Sequence, residues 1–242
     1  MIIEESVVTL ATPTGPMRTY VSKPVAKGRR HGVVLFSEIF QRTGPIARTA
    51  AMLAGHGFVV AVPEIFHELE PAGTVLAYDQ AGADAGNHHK TAKTVAAYDA
   101  DARAVLDHLV SRDDCDGVLC AFGVCIGGHL AFRAAFDARV RGAACFYATD
   151  LHKGSLGDGG DDSLARAGSI EGELMMVWGQ NDPHIPAEGR TKIQSRLVET
   201  RRCFTWHEHV AAHAFLRDEG PRYDPALALL SYRMVIDLFQ RA

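Results

Sequence analysis

The stretch Gly123-Val124-Cys125-Ile126-Gly127 sets one thiol between two glycines. A thiolate is a strong acyl nucleophile wherever its charge is stabilised. The stretch follows the apolar run GVLCAF and precedes a helical pattern, so it reads as a tight strand-to-helix turn. Such a turn puts Cys125 at the amino end of a helix, where free N–H groups and the helix dipole favour the anion. Gly123 and Gly127 give the turn room, because side chains there would collide with the neighbouring strand and helix. The other cysteines, Cys115, Cys120, Cys145 and Cys203, lack this context, and most of them read as small buried hydrophobes.

Three further chemical groups follow apolar runs in the same way. Ser37-Glu38-Ile39-Phe40 follows VVLF, Asp182 follows LMMVWG within three residues, and His213 follows CFTWH after a short connection. In a mostly parallel α/β sheet, ligands bind beyond the carboxyl ends of the strands. A thiol, an imidazole and a carboxylate gathered there form a nucleophile, its base and the group that orients the base. The G-x-C-x-G spacing resembles the nucleophile elbow of the α/β-hydrolases with sulfur in place of oxygen, and the order Cys, Asp, His matches theirs. Asp150 competes with Asp182, and His209 competes with His213. His207, His209 and His213 also form an H-x-H-x3-H spacing, but without a matching carboxylate in the same segment to complete a metal set. The oxyanion needs only backbone donors: the N–H of Ile126, after the nucleophile, and the N–H of Ile39, after the early strand.

The elements that position these groups alternate. Val7–Leu10 and Met17–Val21 flank a Pro/Gly turn and read as a hairpin. Strands are predicted at Val33–Phe36, Phe58–Val62, Gly117–Phe122, Gly142–Tyr147, Glu173–Gly179 and Cys203–His207. Helices are predicted at Pro45–His56, from Thr91 onward through Leu109, and at Gly128–Phe136, Ala187–Val198 and Pro225–Arg241. Residues 63 to 90 look like a loop, a candidate flap over the site. The Gly/Asp-rich stretch TDLHKGSLGDGGDD reads as a mobile loop. This pattern predicts a single α/β domain over residues 1–242: an α/β-hydrolase fold with a mostly parallel sheet, helices on both faces and an N-terminal hairpin.

Composition narrows the class. The chain has 242 residues, 47% of them hydrophobic and 22% charged, with 25 basic and 29 acidic side chains for a net charge of −4. It has no basic patch of the kind a nucleic-acid partner requires, and no apolar run long enough for a membrane span. The opening MIIEESVVTL lacks a basic n-region, so no secretory leader is expected. Five cysteines without a C-x-x-C pair point to a reducing compartment, hence a cytoplasmic protein. A monomer or homodimer is expected.

Four segments together resemble the dienelactone hydrolase family: EIF at Glu38–Phe40, GVCIGG at Gly123–Gly128, Asp182, and HAFLR at His213–Arg217. The resemblance spans nearly the whole chain in the right order. It implies a cofactor-free and metal-free hydrolase of small-molecule esters or lactones, with Phe40 and Arg217 binding substrate. It also implies that Glu38 pairs with Arg217 at rest and moves to deprotonate Cys125 when substrate arrives. The family's second arginine has no counterpart, because residues 63 to 89 contain neither arginine nor lysine. Ala212 stands where a glycine is frequent and Val124 where an aromatic residue is frequent, which predicts a more apolar pocket. With half of the implied anion clamp missing, a broad arylesterase acting also on other activated electrophiles, phosphotriesters included, is the alternative. A thiol-sensing or ligand-binding protein without catalysis is the alternative of another class.

Overall fold

The computed structural model describes residues 1–242. One eight-stranded sheet runs through it in the order β1-β2-β4-β3-β5-β6-β7-β8. The antiparallel hairpin of β1 (Ile3–Thr12) and β2 (Gly15–Pro24) joins the sheet through antiparallel pairing of β2 with β4 (Val59–Pro63). From there every pair is parallel: β4 with β3 (Arg30–Phe36), then β5 (Cys115–Val124), β6 (Val140–Phe146), β7 (Glu173–Gly179) and β8 (Phe204–His209). All five residues of β4 are buried, as are the last five of β3. Strands covered on both faces need such continuous apolar runs.

Helices cover both faces. On one, α1 (Gly44–Gly55) and α7 (Pro225–Gln240) meet through the Thr49–Tyr232 hydroxyl pair at 2.9 Å. On the other, α3 (Val95–Ser111) and α4 (Ile126–Ala134) meet where Arg133 clasps Asp99 at 2.7 and 2.8 Å. Pro45 and Pro225 sit in first helical turns, where the missing N–H costs nothing. Asp224 and Thr94 cap α7 and α3 with their side-chain oxygens.

Two expectations fail. The segment from 63 to 90 is not wholly loop, because it contains α2 (Gln80–Ala92), capped by Asp79, whose carboxylate accepts from the Gly82 N–H at 2.8 Å. This helix carries no apolar stripe because it packs through glycine. Its only buried residues are Gly82 and Gly86. A Cβ on Gly82 would lie 2.1 Å from the Ala77 oxygen, and one on Gly86 would lie 2.5 Å from the Ile39 oxygen.

The Gly/Asp-rich stretch is likewise tied down rather than loose. Leu151 and Leu156 are fully buried, and the Asp161 carboxylate accepts from the N–H groups of Leu156 and Ser163, both at 2.9 Å. Behind it, His129 of α4 sits 3.3 Å from Asp161 and bonds the Thr149 carbonyl at 2.9 Å. Its glycines and aspartates serve as turn formers and acceptors. After α5 (Ser163–Arg166) and a 3-10 turn, the chain enters β7, and α6 (Ala187–Glu199) follows.

Burial acts to raise the Asp161 pKa, but the bond and charge of His129, with help from Ser163, outweigh it and hold the carboxyl well below its usual range. A depressed carboxyl stabilises the fold above its unfolded-state pKa and loses that contribution as pH falls through its folded value. Asp161→Asn is therefore expected to cost about 2 kcal/mol in urea unfolding at pH 7. The difference from wild type is expected to shrink below about pH 4.

Candidate active site

Cys125 joins β5 to α4 with φ 61° and ψ −124°, a conformation that costs a non-glycine residue about 1–3 kcal/mol. Backbone bonds hold it there. Its N–H donates to the Phe146 carbonyl at 3.1 Å, and its carbonyl accepts from Gly128 at 3.0 Å and Thr149 at 3.3 Å. The flanking glycines are sites of close approach: a Cβ on Gly123 would lie 1.8 Å from the Gly127 oxygen, and one on Gly127 would lie 2.2 Å from the Phe36 oxygen. The turn leaves the thiol half-exposed, whereas Cys115, Cys120 and Cys145 are buried. Cys203 is exposed. Gln41, Tyr147, Asp150 and Ala214 also have positive φ, so five of the six non-glycine residues in that region crowd the carboxyl ends of the strands.

His213 is buried, and its Nδ1 lies 2.6 Å from Asp182 Oδ2. The carboxylate is the acceptor, so Nδ1 carries the proton and Nε2 remains for the thiol. The other Asp182 oxygen accepts from the His184 backbone N–H at 2.8 Å, which locks the carboxylate's orientation. Burial of the imidazole would depress its pKa. The negative charge at Cys125, and the hydrogen bonds and charge of Asp182, overcome that and push it up to about 10. Tyr147 and His184 pack edge-on against the ring at centroid distances of 4.9 and 4.6 Å.

The competing residues are engaged otherwise. Asp150 is bound to Lys90 at 2.7 Å. His207 and His209 stack on β8 with ring centroids 6.4 Å apart, while His213 turns inward to Asp182, so the three imidazoles do not converge.

Glu38 is buried 3.8 Å from the Arg217 guanidinium, and its Oε2 has no hydrogen-bond partner. Burial raises the Glu38 pKa, and the nearby charges of Arg217 and His213 only partly offset it. Arg217 lies over the Tyr78 ring at 4.2 Å, and Tyr78 meets the Phe40 ring edge-on at 4.7 Å. The Ile39 N–H donates to no protein group. Ile126 is the first residue of α4, where an N–H has no acceptor within its own helix.

Glu38, Ile39, Phe40, Cys125, His213 and Arg217 all line one cleft of about 270 Å³. The cleft is strongly charged. Lys90, Lys153, Arg217 and Arg222 put four cations on its walls against the carboxylates of Glu38 and Asp150. Sequence reading missed Lys90, Lys153, Arg222 and His184, which arrive from α2 and three separate loops. None of them stands in a spacing that points at the cleft.

A parallel sheet with a strained strand-to-helix cysteine, and an Asp-bound histidine past the last strand, is the α/β-hydrolase architecture. A model of the dienelactone hydrolase family matches residues 17–242, and the chain belongs to that family. A Saccharomyces cerevisiae protein provisionally named carboxymethylenebutenolidase is 37% identical over 100% of this chain and 93% of its own length. A carboxymethylenebutenolidase of a Pseudomonas species is 26% identical over 89% of this chain and 87% of its own. Among solved structures, a protein of Klebsiella pneumoniae provisionally called a dienelactone hydrolase superposes with a TM-score of 0.81 at 20% identity, covering 100% of both chains. A dienelactone hydrolase-like promiscuous phosphotriesterase from metagenomic libraries gives 0.79 at 19% identity, covering 100% of this chain and 99% of its own. The chain is an enzyme of the carboxylic-ester hydrolase type.

Gly86 gives a way to disturb the Ile39 loop from a distance. An added Cβ would meet the Ile39 oxygen at 2.5 Å and the Ile39 Cβ at 2.9 Å. Alanine would otherwise favour the helix by about 1 kcal/mol. Gly86→Ala is expected to lower kcat for ester hydrolysis at least roughly tenfold while circular dichroism keeps the wild-type helix content.

Proposed function

We propose that the chain hydrolyses enol lactones and activated aryl esters through Cys125, His213 and Asp182. The observation that carries this reading is that the Cys125 thiol and the Asp182-bound His213 open on the same cleft. The Cys125 sulfur attacks the carbonyl carbon, and the carbonyl oxygen takes the negative charge opposite the N–H groups of Ile126 and Ile39. His213, whose Nε2 has taken the thiol proton, gives it to the departing oxygen and leaves a thioester. It then takes a proton from water, whose oxygen attacks the thioester and expels the sulfur. Asp182 keeps the imidazole in the tautomer both steps need. Glu38, with an uncommitted oxygen and a raised pKa, moves between Arg217 and the thiol.

Leaving-group chemistry limits the substrates. A thiolate is a better leaving group than an alkoxide, so a poor alkoxide loses when the tetrahedral species collapses. Aryl and enol oxygens leave more readily. The cleft's cations exceed its carboxylates by two, which favours a substrate bearing an anionic group and offsets the missing family arginine. Every group in the scheme belongs to one chain, so no second copy is needed. Free thiols at all five cysteines support a cytoplasmic setting.

The test compares p-nitrophenyl acetate with an enol lactone that carries a carboxylate. Both are expected to turn over, and iodoacetamide or Cys125→Ala is expected to reduce both to the buffer rate. The anionic lactone is expected to show roughly tenfold higher kcat/KM, an advantage that shrinks with added salt. Rates equal to buffer for the untreated protein would favour a binding role instead. Full activity after complete alkylation of Cys125 would place the nucleophile elsewhere.

A further inference from the structure

His184 has no part in the hydrolytic scheme, and its side chain makes no hydrogen bond or ion pair with the protein. It stands exposed on the cleft rim, with its ring 4.6 Å from that of His213. One ligand atom each from Asp182, His184 and His213 lie within 4.8 Å of one another. We propose that this rim binds a soft divalent transition-metal cation of the zinc type, held by the imidazoles of His184 and His213 and the thiolate of Cys125, and that the bound cation shuts the hydrolase off.

The donor set selects the ion. Two neutral imidazoles and a thiolate suit zinc and disfavour magnesium and calcium, which take oxygen ligands. Nitrogen and sulfur ligands about 2.0–2.3 Å from a tetrahedral zinc leave one position for water. The side chains that already converge are Asp182, His184 and His213, while Cys125 shares only the cleft wall with His184, so His184, exposed and unbonded, must swing inward by a side-chain rotation to reach the sulfur. Its backbone anchor is fixed, since the His184 N–H donates to Asp182 and Pro183 precedes it. Asp182 acts from behind. It accepts the His213 Nδ1 proton and leaves Nε2 for the metal, the carboxylate–histidine–metal arrangement of zinc proteins.

The second gathering of metal-type side chains shows the contrast. His67, Glu68 and Asp101 also converge, but the buried Lys93 ammonium already lies among them, 2.6 Å from Asp101 and 2.9 Å from Glu68. That cluster has its cation, whereas the ring nitrogens of His184 have no hydrogen-bond or ion-pair partner. On binding, the metal forms bonds to sulfur and to His213 Nε2, and the proton these two groups share passes to solvent. The thiolate then has no free lone pair for a carbonyl and the imidazole has no proton to deliver.

Binding can be read without turnover. Cobalt(II) replaces zinc and, when bound to a thiolate, shows sulfur-to-metal charge-transfer absorption. The wild-type protein is expected to take up one equivalent of cobalt with that band, and Cys125→Ala is expected to lack it. His184→Gln is expected to weaken cobalt binding, and zinc inhibition of p-nitrophenyl acetate turnover, by roughly tenfold or more. No thiolate–cobalt band in the wild type, or equal affinity in His184→Gln, would overturn the proposal. The inhibition rests on the hydrolytic reading, but the binding does not. A cobalt band in a protein without esterase activity would refute the proposed function and leave the metal site standing.

Discussion

Backbone meeting backbone at the β5–α4 turn is the constraint on which the rest of the molecule depends. The residue that carries the thiol has φ 61°, and the turn survives only because Gly123 and Gly127 let the chain approach itself and β3 within the reach of a missing Cβ. The Cys125 N–H and carbonyl are spent on β6 and on the chain just beyond it. Three neighbouring strands therefore fix one sulfur, and the strain is offset by the sheet they build. The same turn starts α4 at Ile126, whose N–H has no acceptor within its own helix.

Around that point the site is arranged by charge. A buried carboxylate and a buried imidazole would each tend toward neutrality, and burial pushes Glu38 that way. His213 is driven in the opposite direction because the thiol on one side and Asp182 on the other both reward a proton on the ring. Tyr147 and His184 clamp the ring edge-on and limit its rotation. Farther out, Lys90 is neutralised by Asp150, while Lys153 and Arg222 form no ion pair with any protein carboxylate. The result is a cleft with a positive excess in a chain of net charge −4.

How far the sequence revealed this depended on whether the signal was local. The strands were legible because buried parallel strands are short apolar runs, and Cys125 because two glycines at fixed offsets have few other uses. Strand ends pointed to Glu38, Asp182 and His213, yet letters alone left Asp150 and His209 open. Only the fold pairs Asp150 with Lys90 and leaves His209 on β8. Helix α2 escaped notice because Gly82 and Gly86 bury backbone rather than side chains, so it lacks the apolar period by which helices are read. Val124, from which the pocket's polarity was read, does not line the cleft. The cations that do line it come from α2, the chain after β6 and the chain after His213, a convergence that depends on tertiary structure.

The central claim is that thiol, imidazole and carboxylate act as one electrostatic unit. Nitrogen-15 NMR of the His213 ring, followed against pH in the wild type and in Cys125→Ala, tests it most directly. The account predicts that wild-type His213 holds its proton far above the ordinary histidine value of 6.5, to about 10, and that the variant titrates markedly lower because burial is then opposed by Asp182 alone. A ring that titrates near 6.5 in both proteins, or that is indifferent to the loss of sulfur, would contradict it.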